Sequence, residues 1–129
     1  MTKDSVTLDS LTERLVEFRD ARNWQQFHSL KDLILSLNLE ASEMLELAQW
    51  KKDDEFEKSI TDSGKDPAPK MALEEECADV LLYLLLIAEK SEIDLLKAAS
   101  AKIDKNAEKY PVEKARGNAR KYTELYGEA

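Results

Sequence analysis

Four carboxylates stand where acid is costly. Glu40 and Glu43 lie in the frame LNLEASEMLEL, among leucines, and Glu76 and Asp79 lie in EEECADVLLYLL, at the edge of an apolar run. In each pair the residues are three apart, which places both side chains on one face of a helix. An unpaired charge beside so much apolar surface is expensive. If the two helices are neighbours, the four acids share a confined site and raise one another's pKa values. A divalent cation removes that conflict, and all-oxygen ligation suits a hard ion, Mg²⁺ or Mn²⁺. The plainer alternative is a solvated helix face, the reading adopted for Glu46, Glu74 and Glu75. A di-iron bundle would need E-x-x-H on two helices, and the single histidine, His28, forms no such motif.

The elements that must position these acids are helices. The chain has 129 residues, 43% of them apolar, with three glycines and three prolines. This is helix-forming composition, poor in the turn chemistry that several strands require. The pattern predicts a first helix over Ser10–Asn23, capped by Ser10, and the connector NWQQFH. A second helix runs from Ser29 to about Trp50, a third from about Pro69 to Lys90, and a fourth from the cap Asp94 to Lys109. Residues 53–70 read as a connector loop with one helical turn near Glu55–Ile60, and 1–8 and 125–129 as flexible ends of a single domain, 1–129. The fold class is all-α, a four-helix-bundle-like architecture with helices two and three at its centre. The third helix is apolar on nearly every side, which suits a central position and a subunit interface.

A net charge of −8, from 27 acidic and 19 basic side chains, argues against nucleic-acid polymers and anionic membranes as partners. The apolar run Val80–Ala88 is far short of the ~20 residues that span a bilayer. No secretory signal is legible at the start, and the one cysteine, Cys77, makes no internal disulfide and reads as a small buried residue. A reducing cytoplasm is the expected compartment.

In combination, NWQQFH, LEASEMLELAQWK, EEECADVLLYLL and KIDKNAEKYP with ARGNARKYTEL resemble the MazG-type all-α nucleoside triphosphate pyrophosphohydrolases, in particular their dCTP pyrophosphatase and integron-associated branch. The similarity runs from about Leu11 to Leu125, with a longer connector at 53–70 than compact members have. The resemblance implies hydrolysis between the α- and β-phosphates, with Glu40, Glu43, Glu76 and Asp79 holding Mg²⁺ and serving as the catalytic set, and Glu43 the candidate base. It implies dNTP substrates, dCTP favoured, and a homodimer or a dimer of dimers. Trp24, His28 and Trp50 would line a nucleoside pocket, with Tyr83 bonding sugar or phosphate. Lys102, Asn106, Lys109 and Tyr110 would form a stripe toward the triphosphate, with Arg116 and Lys121 reaching over it. Two other readings compete: a non-catalytic helical interaction module, and a hydrolase of other pyrophosphate compounds.

Overall fold

The computed structural model describes residues 5–62 and 64–125. Among them every regular element is helical. By its internal contacts the chain divides into two compact units, one through Glu92 and one from Ile93.

The first unit opens with α1, Leu8–Ala21. Its cap is Thr7, three residues before the predicted Ser10. The Ser10 amide donates to Thr7 Oγ1 at 3.0 Å and the Thr7 amide donates to Ser10 Oγ at 2.8 Å. Ser10 is thus the inner member of a reciprocal cap, the place Glu or Gln more often fills. α1 ends at a tight corner. Asn23 takes φ 53°, a left-handed conformation that asparagine tolerates better than most residues. The Arg19 carbonyl accepts from the amides of Arg22 and Trp24. A short 3₁₀ turn, Gln25–Phe27, leads to α2.

α2 spans Leu30–Ala48, starting where the sequence placed it, and its cap is Ser29, whose side chain accepts from the Asp32 amide at 3.0 Å. The segment expected to be a loop contains a further helix, α3, Asp53–Thr61. Asp53, Asp54 and Glu55 fill its first turn, where the helix dipole favours negative charge. Phe56, Ser59 and Ile60 are half-buried, and their i, i+3, i+4 spacing supplies one inward stripe. What was predicted as helix three is therefore α4, Ala68–Ser91, with Pro69 in its first turn and Glu92 at φ 58° ending it.

α4 is the central element of this unit. α2 packs on it most extensively, and α1 and α3 pack on it as well. Leu33 of α2 meets this core with Leu85, Leu86 and Ala88 of α4; Leu33 and Leu85 are each only 2% exposed. Much apolar surface stays outside the core: Ile34, Leu35, Leu39 and Leu45 of α2 are all exposed.

The second unit carries α5, Leu95–Lys109, with Asp94 capping it as predicted by accepting from the Lys97 amide. Pro111 follows, then two four-residue helices, α6 (Val112–Ala115) and α7 (Tyr122–Leu125). Of the ends expected to be flexible, residues 1–4 and 126–129 lie outside the described residues, while Thr7, Leu8 and Leu125 belong to helices or their caps. No helix among the described residues is long and apolar enough to cross a membrane.

Candidate functional site

The packing of α2 on α4 brings Glu40, Glu43 and Glu76 together. One carboxylate oxygen from each lies within 4.8 Å of the others. Glu40 and Glu76 are half-buried, Glu43 exposed. Glu40 Oε2 and Glu76 Oε2 are buried and have no hydrogen-bond partner. Buried acceptors without donors are unusual, and here two of them belong to the same group of three carboxylates.

The electrostatics follow from that crowding. Burial first, then contact with Glu43 and the charges of Asp79 and Glu76, push Glu40 up to about 7. Burial and the nearby charges of Glu43 and Asp79 also raise Glu76. Acids that repel one another and lack donors are poorly placed without a cation. An oxygen-only donor set fits a hard divalent ion, so these residues suit the Mg²⁺ expected from the sequence.

Asp79 stands apart from the other three. It is exposed, and among the described residues the close cluster contains only Glu40, Glu43 and Glu76. Its charge nonetheless reaches Glu40 and Glu76, and it lines a neighbouring cavity of about 150 Å³. The cavity's walls include Leu15, Phe18, Leu82 and Leu86, and its polar edge is formed by Trp24, His28, Tyr83 and Arg19. Three predicted pocket residues, Trp24, His28 and Tyr83, are therefore brought to one place beside the carboxylates.

The corner after α1 sets the aromatic wall. Phe18 and Trp24 meet edge to face, ring centroids 5.7 Å apart at 76°. The Arg22 guanidinium lies 3.7 Å over the Phe18 ring and 5.9 Å from the Trp24 ring centroid, a cation–π contact that adds to the pair. His28 Nδ1 is buried without a partner. Arg19, with a side chain only 14% exposed, is held at Nε by Asp20 (2.9 Å) and at Nη1 by Glu89 of α4 (3.2 Å). These partners, Asp20 first, raise its pKa against the opposing effect of burial.

Trp50 is not part of this cavity. It lies beyond the end of α2 and is 89% exposed. Cys77, expected to be buried, is exposed, because α4 turns that position away from its packed faces. Lys102, Asn106 and Tyr110 recur along α5 in the second unit and are exposed, and Lys109 beside them is half-buried. Arg116 and Lys121 follow α6 and are exposed. Phe18 and Arg19 were not among the predicted site residues. Phe18 had a signal in its helical phase with Leu15 and Leu11, whereas nothing in the local sequence marked Arg19.

The sequence and the fold match those of known proteins. The MazG-like family model matches residues 35–125, and the chain belongs to the MazG-like family. It is 41% identical over 119 residues to dCTP pyrophosphatase 1 of Homo sapiens, an alignment covering 92% of this chain and 68% of that protein. The same protein from Rattus norvegicus is 40% identical over 119 residues with the same coverage. Among solved structures, a pyrophosphatase from Archaeoglobus fulgidus superposes with a TM-score of 0.72 at 37% identity, covering 86% of this chain and 98% of that one.

Proposed function

We propose that this chain is a Mg²⁺-dependent nucleoside triphosphate pyrophosphohydrolase that cuts the bond between the α- and β-phosphates. It releases a nucleoside monophosphate and pyrophosphate, acts on deoxynucleotides with dCTP favoured, and serves to clear unwanted nucleotides. The observation that carries this reading is the convergence of Glu40, Glu43 and Glu76 beside an aromatic cavity that shares Asp79 with them. Relatives named dCTP pyrophosphatase 1 and pyrophosphatase support the bond type and the base.

In this reading Glu40, Glu43, Glu76 and Asp79 hold the ion. An Mg²⁺ ion held by these residues would supply neutralisation of phosphate charge and activation of a water for attack at phosphorus. Glu43, the exposed member of the cluster, accepts the proton of that water. The cavity takes the nucleoside, with Trp24 and Phe18 offering ring surface to the base and Tyr83 a hydroxyl to the sugar. Taken by itself, the second unit carries in Lys102, Asn106, Lys109 and Tyr110, with Arg116 and Lys121, a set of donors of the kind that phosphates accept from, and Trp50 is an exposed aromatic surface at the end of α2.

The family match spans both units, which supports treating residues 1–129 as one functional domain. Exposed Ile34, Leu35, Leu39 and Leu45 on α2 support a homodimer or dimer of dimers, since apolar surface of that extent on one helix is usually covered. Sedimentation at low micromolar concentration tests this, and a monomer alone would refute it. The cytoplasmic placement rests on the lone cysteine and the acidic charge.

The functional test is pyrophosphate release from a panel of dNTPs and nucleotide sugars, with and without Mg²⁺, for the wild type and Glu43→Gln. Metal-dependent turnover of dNTPs that the substitution abolishes is expected. Turnover of nucleotide sugars alone would move the substrate class. No turnover with any compound would favour a helical interaction module.

A further inference from the structure

Arg19 sits at a place where an arginine has little to gain. Its side chain is 14% exposed and lines a cavity whose walls include Phe18, Leu82 and Leu86 beside the polar groups of His28, Tyr83 and Asp79. Two carboxylates hold it, Asp20 from its own helix and Glu89 from α4. Those bonds use Nε and Nη1, yet a guanidinium carries five N–H donors in a fixed fork. Further donors therefore remain on a planar group whose orientation is already set.

The charge of the surroundings decides what such donors can receive. Two guanidiniums, Arg19 and the Arg22 that lies over Phe18 and Trp24, stand against three carboxylates, Asp20, Glu89 and Asp79, which leaves a net charge of −1 around this cavity. In the adjoining polar cleft Lys90 and Glu92 offset each other. An anionic phosphate is repelled from such a place. A neutral carbonyl oxygen is not, and it gains a charge-assisted hydrogen bond from a donor that has already lost its freedom.

Resting on the pyrophosphohydrolase reading above, we propose that Arg19 is a specificity-determining residue, its guanidinium donating to a carbonyl oxygen of the nucleobase held in this cavity. Cytosine, thymine, uracil and guanine carry such an oxygen, and adenine does not. Asp20 acts as the positioning residue that holds the fork at Nε, and the exposed Glu89 adds only a weak brace from α4. A site built to donate a hydrogen bond disfavours an analogue lacking the acceptor, because a donor on a side chain only 14% exposed then loses its partner.

Titration of the full chain with phosphate-free deoxynucleosides, followed by NMR in the absence of metal, tests this apart from catalysis. Deoxycytidine and thymidine are expected to bind about tenfold more tightly than deoxyadenosine. Arg19→Met, which keeps the apolar stem, weakens the first two about tenfold and leaves deoxyadenosine nearly unchanged. Glu89→Gln breaks the brace to α4 but keeps the guanidinium, and costs no more than about twofold. If Arg19→Met does not fold, Arg19→Lys, with a single-point donor, reduces the preference by at least about threefold. The proposal is overturned if the wild type shows no preference or no binding. It is equally overturned if Arg19→Met leaves the preference intact, or if Glu89→Gln weakens binding as much as Arg19→Met. Pyrophosphate release from dNTPs with Mg²⁺, measured on the same preparation, reports separately on the underlying activity.

Discussion

Glu40 and Glu76 belong to different helices, yet each places a carboxylate oxygen within 4.8 Å of the other's, and Oε2 of each is buried with no hydrogen-bond donor. That relationship makes the packing of α2 on α4 depend on what lies between the two acids. It also gives the site a pH dependence whose sign can be worked out.

The Glu40 carboxyl is raised from 4.5 to about 7 by burial and by its acidic neighbours. Below pH 4.5 it is protonated in both folded and unfolded chains and costs nothing. Between pH 4.5 and 7 the unfolded chain releases its proton while the folded one retains it, so stability falls as pH rises and levels off above 7. Thermal melts in EDTA should show this fall, and Glu40→Gln should flatten it. With Mg²⁺ the ionised form is stabilised instead. Metal affinity should then rise with pH through about 7, and binding at pH 6.5 should release a proton measurable by calorimetry in buffers of different ionisation enthalpy.

Removing one acid should separate stability from activity. Glu76→Gln relieves repulsion and lets an amide donate within the cluster. It should raise the melting temperature of the metal-free protein while lowering kcat/KM at least about 100-fold. A substitution that lowered both would mean that Glu76 supports the fold rather than the site.

The core of the first unit is small, which makes each member count. Leu85→Ala and Leu33→Ala each empty a site that is 2% exposed and should cost about 3 kcal/mol in denaturant melts. At the other extreme, Glu92 ends α4 at φ 58°, a conformation that glycine adopts without strain. Glu92→Gly should therefore stabilise the chain by about 1 kcal/mol.

In the cavity, Trp24→Ala should raise KM for dCTP about tenfold, the loss of one stacking surface, with kcat changed little. A fall in kcat with unchanged KM would place the ring's role away from the base.

The helices around the acids were legible because their signals are local. Ser29, Asp94 and Pro69 mark helix starts in the sequence and do so in the structure. The paired acids were legible for the same reason, since a spacing of three fixes a shared face. The misplaced cap and the missed helix show where local signals compete. Ser10 looked like a cap because Glu13 follows it, but Thr7 forms the reciprocal pair with it first. α3 hid in a run of charge whose half-buried stripe, Phe56 and Ile60, is short and meets α4 only through tertiary packing. Arg19 was invisible for a related reason. Its meaning depends on Glu89, seventy residues away, and on the packing of α1 against α4.

Which bond is cut can be read directly by ³¹P NMR of the products. With dCTP, Mg²⁺ and the wild-type chain, the account predicts dCMP and pyrophosphate appearing together in equal amounts, with neither product formed by Glu43→Gln. Formation of dCDP and inorganic phosphate would contradict it, as would an unchanged dCTP spectrum at stoichiometric enzyme.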